Sequence, residues 1–277
     1  MSTRTRSVFA LMLAILFMST SGLLIKLSSW DALALNGARS LIAAAVIWLY
    51  LRRPNFTWSR AQVGGAIIYA LMLITFVQAT RWTTAANAIF LQFTAPLWVA
   101  LFSIWLLGER PQRSDWATMI AVALGMLLFF GGELTRDGLR GNLLAIFSGI
   151  CLALFFIALR MQKDGSPTET VLLGSLLAGA IGLPFLLWGD QPVDRREIGI
   201  IIFLGVFQLG LPFIVLTLAI KQLSAVEAIL IQTLEPVLNT LWVFLFIGEV
   251  PLPSALVGAA IIATAVIINA IVAGRRK

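Results

Sequence analysis

From Val8 to Ala273 the sequence is a succession of apolar runs, each close to the length of a bilayer crossing, with gaps too short to hold a folded domain. Cutting at the charge clusters gives Val8–Leu27, Ala32–Leu51, Ala61–Thr80, Thr84–Leu106, Ser114–Gly131, Asn142–Arg160, Thr168–Trp188, Ile198–Ile220, Ala225–Ile247 and Ser254–Ala273. Ten spans of about 20 residues consume ~200 of the 277 positions. Pro, Gly and charge mark nearly every gap, as in Arg52-Arg53-Pro54, Gly108-Glu109-Arg110-Pro111 and Gly165-Ser166-Pro167. Charged residues make up 12% of the chain, against roughly 25% in soluble domains. Within these residues there is no room for an ectodomain or an ATPase domain. The expected fold is an all-α integral membrane protein with ten transmembrane helices.

The first run resembles a signal peptide in having Arg4 and Arg6 before it and Ser19-Thr20-Ser21-Gly22 within it. It continues to Leu27, too long for an h-region, and is read as an uncleaved span. Lys and Arg in the short loops set the orientation. With the N-terminus inside, the cytoplasmic side holds Arg4, Arg6, Arg52, Arg53, Arg60, Arg110, Arg113, Arg160, Lys163, Lys221, Arg275, Arg276 and Lys277. The outer side holds Lys26, Arg81, Arg136, Arg140, Arg195 and Arg196. Both termini are therefore expected in the cytoplasm. The net charge of +7 is scattered through loops, which fits topology and not nucleic-acid binding.

Three absences narrow the chemistry. There is no His, one Cys (Cys151, inside an apolar run) and no GxxxxGK[ST] loop. No metal site, cofactor or catalytic residue is expected, and ATP is not the expected energy source.

Shifted by 140 residues, the segment from Ala79 to Pro111 lies over Ala219 to Pro251 without a gap. Identities include Ala79/Ala219, Ala88/Ala228, Ile89/Ile229, Gln92/Gln232, Pro96/Pro236, Gly108/Gly248, Glu109/Glu249 and Pro111/Pro251. The repeat unit holds five spans. An odd number makes the second copy cross the membrane in the opposite sense, an inverted repeat of the kind built into secondary transporters. The halves are 1–135 and 141–277, joined by the polar connector 132–141.

Two five-helix halves, Arg39 in the second helix, and Pro96 followed by Leu107-Gly108-Glu109-Arg110-Pro111, echoed at Pro236 and Gly248-Glu249-Val250-Pro251, carry a family resemblance. The chain resembles the drug/metabolite transporter superfamily, and within it the ten-helix EamA-type exporters. The overall similarity extends to the branch that exports aromatic amino acids. The resemblance implies efflux of small metabolites, often amino acids, across a bacterial inner membrane.

Charges inside a bilayer cost about 2.5–3.5 kcal/mol on insertion scales, so each one asks for a reason. Glu235 lies roughly 15 Å into the ninth span at 1.5 Å per residue, near the midplane. At 100° per residue it shares a stripe with Ala225, Ala228, Gln232 and Asn239, and the matched stripe of the fourth span contains Gln92 and Ala95. Gln92 and Gln232 read either as interhelical hydrogen-bond glue or as substrate contacts. Glu235 reads as a counter-ion for a substrate ammonium, a proton carrier, or a partner of Arg39. Arg39, with Asn36 one turn before it, has the planar fork for a carboxylate, unless it snorkels or holds Glu235. Gln78 and Phe93 complete the expected substrate-binding set of Arg39, Gln78, Gln92, Phe93, Gln232, Glu235 and Asn239. Pro96 and Pro236 are expected hinges, with plain packing kinks as the other reading. Glu109 and Glu249 are expected to hold helix ends.

The reading of function is a secondary transporter that exports small metabolites by alternating access, amino acids foremost and aromatic ones among them. The partners are a small-molecule substrate and the lipid bilayer, and a monomer suffices. Export of drugs or other amphipathic metabolites is the alternative, followed by a channel or an intramembrane lipid-modifying enzyme.

Overall fold

The computed structural model describes residues 3–130, 138–247 and 252–274. Among these residues the chain is helical with connecting turns. The helices are α1 (Thr3–Met18), α2 (Ser21–Leu27), α3 (Ala32–Leu51), α4 (Arg60–Trp82), α5 (Ala85–Gln92), α6 (Ala95–Leu106) and α7 (Arg113–Phe130). They continue with α8 (Leu139–Met161), α9 (Pro167–Trp188), α10 (Arg195–Phe203), α11 (Leu211–Ala219), α12 (Ala225–Gln232), α13 (Leu234–Ile247) and α14 (Pro253–Gly274), with π-helical turns at Leu204–Gly210. Nine stretches among the described residues are long and apolar enough to cross a membrane. The tenth expected span is α7, of 18 residues, which starts with Arg113 and Asp115.

Polar residues in the gaps start the helices. Asp31 accepts from the Leu33 N–H at 2.8 Å, Ser59 from Gln62 at 3.2 Å, and Thr84 from Asn87 at 3.0 Å. Ser224 and Glu227 form a reciprocal capping box on α12. Gly108 ends the fourth span with φ 67°, a left-handed conformation that glycine adopts without a Cβ penalty. The turn brings the Glu109 N–H back to the Ser103 carbonyl at 3.2 Å. The matching Gly248, Glu249 and Pro251, and most of the connector, lie outside the described residues.

The packing follows the exchange of two halves. Helix α3 packs on α9, and α7 on α14, each pairing equivalent spans of the two copies. The α4–α8 contact has its counterpart in α11–α1, and α4–α9 in the contact of α3 with the π-helical turns. Where α3 crosses α9 the backbones touch through glycine: a Cβ at Gly182 would fall 2.4 Å from the Gly37 Cα. Such close approach between small residues is how apolar helices associate where the lipid is as apolar as the helix surface. Large apolar side chains such as Leu49, Trp105 and Phe246 are exposed on the outside, where acyl chains cover them.

Contacts at the helix ends keep the two charge-assigned sides apart. Arg160 pairs with Glu109 at 2.7 Å and donates to the Ile220 carbonyl at 3.0 Å. Arg4 pairs with Glu227 at 3.0 Å, and Lys221 donates to the Gly165 carbonyl at 3.3 Å. At the other end Arg81 donates to the Ser28 and Trp30 carbonyls, and Glu197 accepts from both Ser28 and Ser29. Among the described residues, none of these contacts joins cations from the two groups.

Candidate functional site

Three of the expected continuous spans are broken. The first is interrupted at Ser19–Thr20, the fourth at Phe93–Thr94 and the ninth at Thr233. The eighth loosens into the π-helical turns at Leu204–Gly210. Each run was expected to be one helix because it is long and apolar enough to span as such, with Pro96 and Pro236 read as bends within their runs. The backbone explains three of the four. Pro96, Pro212 and Pro236 have no N–H to give the carbonyl four residues earlier, which belongs to Gln92, Gln208 and Gln232 respectively. Pro96 and Pro212 sit at the first positions of the new helices α6 and α11, where a missing N–H costs nothing.

These irregularities converge. One cavity of about 40 Å³ is lined by residues flanking each of them: Met18 and Ser21, Gln92 and Phe93, Gln208 and Leu209, Gln232 and Glu235. Regular helices complete the wall with Arg39, Phe76 and Phe213, among others. Non-helical backbone at membrane depth persists only where it lines a cavity or is buried in protein, and both hold here.

Arg39 is 1% exposed on the middle of α3. Its Nη1 donates to Gln208 Oε1 at 3.2 Å, and its Nε and Nη2 donate to Asn36 Oδ1 at 3.4 and 3.1 Å. Five N–H groups less three bonds leaves two donors on a side chain that lines the cavity. Glu235 stands in the first turn of α13 and not in the middle of a helix. Gln232 Nε2 donates to Glu235 Oε2 at 3.0 Å, which leaves the buried Gln232 Oε1 with no partner. Among the described residues no ion pair joins Arg39 to Glu235. Of the readings left open for the two, direct pairing is not formed among the described residues: Arg39 donates to Asn36 and Gln208, and Glu235 accepts from Gln232.

Of the expected substrate-binding residues, the cavity brings together Arg39, Gln92, Phe93, Gln232 and Glu235. Gln92 also bonds Ser148 Oγ at 2.9 Å, so it joins helices and lines the cavity at once. Gln78 is half-buried on α4 outside the lining. Asn239 packs against Gly22, where an added Cβ would fall 2.2 Å from its Nδ2. The stripe containing Asn239 is not continuous across the break at Thr233. Gln208 was missed. Its signal was available: a lone amide in an apolar run, four residues before a proline, as Gln92 and Gln232 are.

The profile of the EamA-like transporter family matches the chain twice, at residues 5–131 and 139–271. The chain is 29% identical over 240 residues to the pseudopaline exporter of Pseudomonas aeruginosa, covering 83% of this chain and 82% of that one. It is 29% identical over 168 residues to the threonine/homoserine exporter of Escherichia coli, covering 60% of this chain and 56% of that one. A crystal structure of another protein matches with a TM-score of 0.82 at 22% identity, over 99% of this chain and 100% of the other. That last likeness shows the fold. Similarity to named exporters points to a transporter and not an enzyme.

Proposed function

We propose, from the premise that this multi-pass membrane protein belongs to the EamA-like transporter family, that it exports small zwitterionic metabolites, amino acids foremost, by alternating access. One observation carries the reading: Arg39 and Glu235 line the same cavity without pairing with each other. Spare guanidinium donors on one side suit a carboxylate. A carboxylate and the unpartnered Gln232 Oε1 on the other suit an ammonium. Placing such a site at broken helices between two repeats, which rock against each other, is the logic of secondary transport. At about 40 Å³ the cavity is far below the roughly 300–1,000 Å³ of ligand pockets, so on this reading it opens to load substrate.

The halves 1–135 and 141–277 are the rocking units, inverted with respect to each other. Both termini lie in the cytoplasm of a bacterial inner-membrane protein, with Pro96 and Pro236 as hinges, and one chain is sufficient. The relatives named as exporters of pseudopaline and of threonine and homoserine support a small-metabolite cargo, and the threonine/homoserine exporter supports the zwitterion class. The test is a counterflow screen of the twenty amino acids in proteoliposomes, with and without a pH gradient. Saturable exchange of at least one is expected, and no saturable exchange of any sinks the amino-acid reading. Single-channel currents in place of counterflow favour a channel.

A further inference from the structure

Phe93 belongs to two cavities. On one side is the polar cavity with Arg39 and Glu235. On the other is an apolar cavity of about 170 Å³ between the α5–α6 break and α7, lined by Phe90, Pro96, Met119, Val122 and Met126. The larger space is the apolar one. Phe93 is 6% exposed and stands in the break itself, at φ −77° and ψ 15° after the last residue of α5. Its side chain is therefore carried by the interruption between α5 and α6.

We propose that the apolar cavity is a substrate side-chain pocket and that Phe93 is the partition that opens it. Rotation of Phe93 joins the two spaces. The carboxylate and ammonium then stay with Arg39 and Glu235, and an aliphatic or single-ring side chain passes toward α7. This rests on the zwitterion reading above and adds which zwitterions are preferred. The volume suits the role: a dry cavity of about 150 Å³ holds one benzene ring. So does the lining, because Met119 and Met126 are unbranched side chains that repack around different shapes. Val122, 3% exposed on α7, faces this cavity and is absent from the lining of the polar one.

The test is counterflow of leucine, phenylalanine and threonine in proteoliposomes containing full-length Val122→Phe, Val122→Ala, Phe93→Leu or the unaltered chain. Val122→Phe fills the pocket and lowers the leucine-to-threonine and phenylalanine-to-threonine rate ratios by about tenfold or more, the range set by a few methylenes in an apolar pocket. Val122→Ala and Phe93→Leu raise both ratios. If Val122→Phe does not fold, Val122→Ala decides alone by the direction of its ratios. Equal loss for all three substrates in a monodisperse protein overturns the proposal. So does no change in either ratio, the result expected of a cavity filled by lipid chains. An unaltered chain that carries threonine but neither larger substrate overturns it as well. If the unaltered chain exchanges no amino acid, the zwitterion reading falls and takes this one with it. If it exchanges them with ratios that the variants leave fixed, only the side-chain pocket falls.

Discussion

Gln232 Nε2 donates to Glu235 Oε2 at 3.0 Å across the break at Thr233 that separates α12 from α13. The bond fixes the carboxylate at the cavity wall and turns the other amide atom, Oε1, into an unpartnered acceptor. Glu235→Gln keeps the shape and removes the charge that faces a substrate ammonium. Hydrogen bonds to charged groups are worth about 1.5–3 kcal/mol, so kcat/KM for exchange is expected to fall by roughly tenfold to hundredfold. Counterflow at several pH values checks this. If the pH profile of the residual transport is unchanged, Glu235 is not the proton carrier.

Arg39 uses three of its five N–H donors on Asn36 and Gln208, and the planar fork is what allows it to keep two for a ligand. Lysine has a single charged nitrogen and cannot do both. Arg39→Lys is expected to raise KM for amino acids about tenfold or more, on the same scale for a charge-assisted bond. Amino-acid amides, which lack the carboxylate, are expected to show no such rise. Equal effects on acid and amide would place the role of Arg39 in holding α3 to the π-helical turns alone.

The ten spans, the two copies and the polar positions Arg39, Gln92, Gln232 and Glu235 were legible because charge and amides in an apolar run are individually costly and stand out. The breaks were not. Leu91, Phe93 and Leu97 are as apolar as an unbroken helix, and Ser19-Thr20 reads as part of a signal-peptide-like feature within an uncleaved span. The 1.5 Å per residue count for Glu235 takes the ninth span as one helix, whereas Thr233 interrupts it. The sequence left the partners of Arg39 open for a related reason. A carboxylate in the same cavity is the obvious candidate, but Asn36 one turn away and Gln208 on the eighth span meet the guanidinium first. Spacing within the sequence carries no information about that crossing of α3 with the eighth span.

The α3–α9 crossing makes a stability prediction. A Cβ at Gly182 would lie 2.4 Å from Gly37 Cα and 2.6 Å from the Leu33 carbonyl oxygen, both backbone atoms that cannot swing away. Gly182→Val is expected to cost about 1–3 kcal/mol or more by overpacking and to lower the thermal unfolding midpoint in detergent. Gly64 on α4 has no atom within 4 Å of an added Cβ, so Gly64→Ala is the control. It is expected to be neutral or to stabilise by up to about 1 kcal/mol through helix propensity.

Glu109 and Arg160 meet at 2.7 Å at the ends of α6 and α8, and Arg160 also holds the Ile220 carbonyl after α11. The Arg160 side chain is 13% exposed and that of Glu109 28%, so water weakens the pair and the expected loss in Glu109→Gln is about 1 kcal/mol or less. Neither residue lines the cavity. KM for a transported substrate is therefore expected to stay within about twofold, while the unfolding midpoint in detergent falls slightly, and by less at high salt. A large KM change would instead place this contact on the substrate path.

Pro96 and Pro236 sit just past the breaks in the fourth and ninth spans, each denying an N–H to the carbonyl of a cavity-lining glutamine. Alanine restores the N–H and favours helix, so Pro96→Ala with Pro236→Ala promotes continuous spans where the two halves must bend. The doubly substituted protein is expected to bind substrate with affinity within a few-fold of the original and to exchange it at least about tenfold more slowly, a barrier increase of about 1.4 kcal/mol. Equilibrium binding and counterflow measured on the same preparation separate the two quantities. Slower exchange with preserved binding supports bending at these prolines as part of the transport step. Unchanged exchange leaves them as packing kinks, with the mobile elements elsewhere in the two halves.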